Sequence, residues 1–121
     1  MRRVAELGSF AESRMPKTFL VRRWGGGCPN PEDADLRAAL AELATPDAEH
    51  PDCWVSDETG WTISAHQSGK VVLENPESDE GPWHMTGQTH DQIMELWRLL
   101  QLGHLAAIRQ RPWLAGYGGS S

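Results

Sequence analysis

The side chains able to do chemistry are five histidines, two cysteines and a dense set of carboxylates in the middle of the chain. His50 and Cys53 form an HxxC pair in HPDC, Cys28 can approach from an earlier loop, and His66 or His84 can complete a four-ligand set. Zinc takes such ligands in a tetrahedral shell of about 2.0–2.3 Å. A second compact ligand pair, which would force that shell, is missing. His84 and His90 flank the start of a helical pattern, with Asp79, Glu80 and Asp91 nearby, so an acid-oriented proton shuttle is a second option. His90 and Asp91 are adjacent and point in different helical directions, and no nucleophile accompanies them. Ser64, His66 and Asp57 share a strand-rich stretch without the sharp elbow that exposes a nucleophilic serine. Arg22 and Arg23 beside Trp24 could hold phosphate and stack a base, but they face alternate sides of a strand.

A noncatalytic binding surface fits the pattern better. Trp54 and Trp83 are aromatic anchors, and Glu77, Asp79 and Glu80, with His84, supply a polar rim that attracts a basic protein partner. This reading calls for no cofactor and no metal. A histidine–acid pocket at His84/His90 and a structural zinc domain remain the alternatives.

Charge distribution points the same way. The net charge of −6 conceals a basic start, an acidic centre holding fifteen of the seventeen Asp and Glu residues (24–97), and a basic end. Such a centre repels phosphate backbones, so nucleic acid is disfavoured. No apolar run reaches the roughly 20 residues of a bilayer span, and the N-terminus lacks the apolar centre of a secretion signal. The expectation is a cytoplasmic protein, monomer or homodimer, with both cysteines reduced.

These residues need a scaffold, and 121 residues suffice for one core. WTISAH (61–66) alternates with Trp61, Ile63 and Ala65 on one face and Thr62, Ser64 and His66 on the other; QSG turns the chain into KVVLEN (70–75). Lys17–Trp24 and Cys53–Asp57 read as further strands, and Trp83–Met85 as a brief edge strand or a lid on the core. Gly25–Gly27 reads as a flexible strand-to-helix connection. It lacks the residues of a phosphate loop or a dinucleotide fingerprint.

Asn30 is the expected cap of a helix over Pro31–Ala44, with Leu36, Leu40 and Leu43 on one side. Thr89 and Gln92 form a capping box ahead of Ile93, Leu96, Trp97 and Leu100. A short helix follows within 104–110. The predicted fold is therefore α+β: a three- to five-stranded, mostly antiparallel sheet covered by two main helices plus a short C-terminal helix. Residues 1–16 read as a weakly ordered segment, 17–114 as one domain and 115–121 as a flexible tail. In size, acidity and layout the chain resembles small bacterial immunity proteins that neutralise toxins. The resemblance is architectural and carries over no residue, but it implies a noncatalytic partner-binding role.

Overall fold

The computed structural model describes residues 17–118. The segment 1–16, expected to be weakly ordered, lies outside the described residues, as do positions 119–121 of the tail. The elements are β1 (Thr18–Val21), β2 (Gly27–Pro29), α1 (Asp33–Glu42), β3 (Asp52–Asp57), β4 (Thr62–His66), β5 (Val71–Asn75), β6 (Glu80–Met85), α2 (His90–Gln101), α3 (Leu105–Arg109) and β7 (Leu114–Ala115). The strands form one seven-stranded sheet in the order β2-β1-β3-β4-β5-β6-β7, antiparallel at every pairing.

This corrects the expected three to five strands. Two strands beyond that number come from stretches that read as connection and tail. The glycine run closes a tight β1–β2 hairpin, in which Arg22 N–H donates to Gly26 O at 2.7 Å and Gly25 N–H to Arg22 O at 2.8 Å. Its second strand is only Gly27–Pro29, with Pro29 opposite Phe19. Proline is tolerated there because β2 is an edge. At the other edge Leu114 and Ala115 pair with His84 and Trp83, so β6 is an interior strand with a neighbour on each side.

One sheet face is apolar because alternate residues of each strand share a side. Leu20, Cys53, Val55, Ile63, Ala65, Val71, Leu73 and Met85 are buried there against Leu36, Ala39 and Leu40 of α1, Ile93, Met94, Leu96, Trp97 and Leu100 of α2, and Ile108 of α3. Trp97 is fully buried, and its indole N–H donates to Ile63 O at 3.0 Å, satisfying the polar atom a core tryptophan carries. The Thr89 cap accepts from Gln92 N–H at 3.2 Å and its own N–H donates to Gln92 Oε1 at 2.8 Å.

The start of α1 differs from expectation. Its N-cap is Glu32, whose N–H donates to Asp35 Oδ2 at 2.8 Å. Asn30 instead takes a positive φ of 48°, and its side-chain oxygen accepts Lys17 N–H at 2.9 Å and Thr18 N–H at 3.3 Å. The side chain that could cap a helix secures the start of β1.

The far end of α1 has no basic residue in its last turn. Arg22 and Arg23 supply that charge from β1's end. Arg22 pairs with the Glu42 carboxylate. Arg23, only 4% exposed, donates to the carbonyls of Glu42 and Thr45, to His50 O at 2.8 Å and to Gln67 Oε1 at 3.2 Å. The arginine pair is thus a clamp on a helix C-terminus, where positive charge is favoured.

Candidate functional site: the open face of the sheet

The helices cover one side of the sheet and leave the other exposed. Register carries one row of side chains across it: Val21 opposite Trp54, Trp54 opposite Ser64, Ser64 opposite Val72, Val72 opposite His84 and His84 opposite Leu114. A second row runs Phe19, Ser56, Thr62, Glu74, and Asp52 stands opposite His66. Ser64 sits between the bulkier Trp54 and Val72, so the short side chain leaves a hollow in the surface.

That hollow opens into a groove of about 470 Å³ whose charged lining is Asp52, Asp57, Glu74 and Glu77, with Trp54 as its aromatic wall. A smaller cavity of about 170 Å³ adjoins it, sharing Asp52, Ser64 and Glu74 and adding His66, Lys70 and Tyr117. The groove is built on rigid parts. Ser56 Oγ and Thr62 Oγ1 are bonded across β3 and β4 at 3.0 Å. Asp57 Oδ1 accepts the N–H groups of Thr59 at 2.9 Å and Trp61 at 3.0 Å, which fixes the β3–β4 turn. At the other end Asn75 is almost fully buried; its Oδ1 accepts Glu77 N–H at 3.0 Å and Ser78 N–H at 3.1 Å, while Nδ2 donates to Thr59 O at 3.1 Å. Gly60 fits between these turns because its φ is +99° and a Cβ there would lie 2.5 Å from Asn75 Oδ1.

Burial raises the Asp52 carboxyl above its ordinary value, opposed by the nearby His66. Burial lowers the His66 imidazole, with Lys70 adding repulsion and Asp52 pulling the other way. His66 Nδ1 accepts Ser68 N–H at 3.0 Å and lies 2.9 Å from Ser68 Oγ. The ring is therefore held by its own turn, and in its neutral form the proton sits on Nε2.

The residues singled out in the sequence separate into two groups. Trp54 and Glu77 line the groove. Asp79 lies in the turn between β5 and β6 with φ +61°. Glu80 accepts Ser78 Oγ at 2.9 Å and pairs with Arg109 at 3.4 Å. Trp83 faces the helix side, stacked on Trp61 at 6.4 Å between ring centres, with the Arg109 guanidinium 5.5 Å from Trp61 and 5.2 Å from Trp83. His84 points to the opposite face, 9% exposed, with Nδ1 2.8 Å from Gly116 O. His90 opens α2 on the covered side, so neither histidine lines the groove.

Of the zinc-type side chains, Cys53 is in the core, its thiol pushed up to about 12 chiefly by burial. Cys28 lies on the β2 edge, and His50 in a loop 3.4 Å from Asp47. Among the described residues no group of three or more His, Cys, Asp or Glu is placed to hold a metal ion. Nor is any helix among them long and apolar enough to cross a membrane.

Asp52, Ser64, His66, Glu74 and Tyr117 were not singled out together from sequence, although Ser64 and His66 were weighed with Asp57 as a hydrolytic set. The carboxylate opposite His66 in the sheet is Asp52, not Asp57. The signal that finds this group is the polar phase of two alternating strands, Asp52-x-Trp54-x-Ser56 and Thr62-x-Ser64-x-His66. No protein-family model, curated protein sequence or solved structure matches the chain.

Proposed function

We propose that this protein is a noncatalytic binding module whose open sheet face receives a basic segment of another protein. The observation that carries the reading is the groove's lining: four carboxylates and no lysine or arginine around one half-buried tryptophan. By register the backbones of Asp52 and Glu74 stand two strands and four residue positions apart, roughly 16 Å at standard strand spacings. A single small cation cannot bridge that distance, whereas a polypeptide with spaced lysines or arginines can. Long-range attraction speeds the encounter, and burial of Trp54 slows dissociation. Asp79, in the turn beyond Glu77, adds acidic charge near that end of the groove, whereas the Glu80 carboxylate is paired with Arg109. The toxin-neutralising reading is the specific form of this proposal: the partner is then a basic toxin, held in the cytoplasm.

The test is fluorescence polarisation with a fluorescein-labelled hexa-arginine peptide at moderate salt. Trp54→Ala and the pair Glu74→Gln/Glu77→Gln should each weaken binding about tenfold or more. The pair Asp91→Asn/Glu95→Gln removes the same charge from α2 on the covered side and should change it less than threefold. Equal losses from both charge pairs would mean nonspecific attraction to an acidic protein, and the groove would lose its claim.

A further inference from the structure

The smaller cavity is walled by Tyr117, in residues 116–118, which turn from β7 back onto the open face. Gly116 N–H donates to Pro82 O at 2.9 Å, and Gly116 O lies 2.8 Å from His84 Nδ1. Lys70 Nζ donates to Tyr117 O at 2.9 Å. The Tyr117 hydroxyl donates to Glu74 Oε1 at 2.7 Å, and its ring walls the smaller cavity beside Asp52 and Ser64. Gly118 lies flat on the His84 ring: a Cβ there would be 2.6 Å from the nearest ring carbon, at a φ of +83°.

We infer that residues 116–118 are a strap that competes with the basic partner, Tyr117 holding the Glu74 carboxylate that an incoming lysine or arginine takes. The inference rests on the reading of the groove as a site for a basic segment. Three features fit a displaceable occupant. Glu74 is shared by both cavities, so its carboxylate stands where the strap meets the open groove. Tyr117 is 54% exposed, so the strap is held by a few polar bonds and little buried apolar area. A phenol offers one neutral donor to that carboxylate, while a guanidinium offers two charged ones.

Two variants loosen the strap by different means. Tyr117→Phe removes the hydroxyl and keeps the ring; Gly118→Ala drives a methyl group into His84. Each should bind the hexa-arginine peptide about three- to tenfold more tightly, the range expected for losing one competing hydrogen bond to a carboxylate. In the wild type, the peptide should speed hydrogen exchange at the Gly116 amide, because that amide loses Pro82 O when the strap leaves. Unchanged or weaker binding by Tyr117→Phe, or slower exchange at Gly116, would overturn the strap as a competitor. Trp54→Ala separates this from failure of the groove: if it weakens the peptide while Tyr117→Phe does nothing, only the strap is wrong. If Trp54→Ala has no effect either, the groove reading fails and takes the strap with it.

Discussion

Replacing Arg23 tests whether the buried guanidinium holds the fold together or burdens it. Burying a charge without a carboxylate partner is costly, and exchange for an apolar side chain stabilises some proteins by removing that cost. Arg23, however, serves four acceptors from three parts of the chain: the end of α1, the loop before β3 and the β4–β5 turn. Arg23→Met keeps the unbranched stem and removes all four bonds; His50 O and Thr45 O are orphaned, while Glu42 O keeps Thr45 N–H and Gln67 Oε1 keeps Asp47 N–H. Each orphaned acceptor costs about 1–3 kcal/mol, but the losses are not additive and water can reach the end of α1, so the lower part of the summed range applies. The expected destabilisation is about 2–4 kcal/mol, against a total of about 5–15 kcal/mol for a domain.

Arg22→Met is the matched comparison. It removes the neighbouring guanidinium, whose pair with Glu42 is one-third exposed on the arginine side, and should cost less than about 1 kcal/mol. Urea unfolding followed by tryptophan fluorescence measures both. An Arg23→Met protein as stable as the wild type, or more so, would refute the argument, since the charge would then be a net burden.

Three further outcomes follow from the buried Cys53 and the half-buried His66 and Asp52. Cys53, with its thiol pushed up to about 12 in the core, should resist alkylation at pH 8 and react only as fast as the domain unfolds; labelling that outpaces unfolding measured under the same conditions would contradict its placement. The His66 imidazole is held below its ordinary 6.5, so the unfolded chain takes up a proton that the fold resists. The His66 contribution is therefore fully present above about pH 6.5 and falls as the pH drops toward the depressed folded value. His66→Gln should flatten this part of the profile of urea midpoints between pH 5 and 8. Asp52 has the opposite sign: its folded value is raised, so its burial costs stability as pH climbs above the ordinary 3.8, and Asp52→Asn should unfold at higher urea at pH 7.

How much was legible depended on how many residues carried each signal. The α2 helix has a capping box and an apolar face repeated over several turns, and Thr89, Gln92, Ile93 and Trp97 all stand where that pattern puts them. Strands β3 and β4 alternate over five or six residues, and β5 opens on an apolar run that returns from a glycine turn. β2 and β7 hold three and two residues, too few to show a period of two. A glycine run ahead of β2 says only that the chain turns. The α1 cap was misplaced because Asn30 and Glu32 can both accept a backbone amide, and nothing local showed that Asn30 would be claimed by β1. The groove was half legible: alternation assigns Ser64 and His66 to the polar face, but placing Asp52 and Trp54 beside them requires the pairing register. Nothing in GYGGSS announces that Tyr117 reaches Glu74, forty-three positions away.

The order of strands also bears on how the chain reaches this state. From β3 to β6 every strand lies beside its successor, joined by short turns, so this meander can zip together from local hairpins at little loop-closure cost. The β1–β3 pairing must wait for the excursion through β2 and α1 to close, and the β6–β7 pairing for the one through α2 and α3. Of the two arginines, Arg23 also bonds outside the β1–β2–α1 unit, to His50 O and Gln67 Oε1, so those bonds form only once the unit has docked. Interactions formed after the rate-limiting step slow unfolding more than they speed folding. On that order of events, Arg23→Met should speed unfolding more than it slows folding.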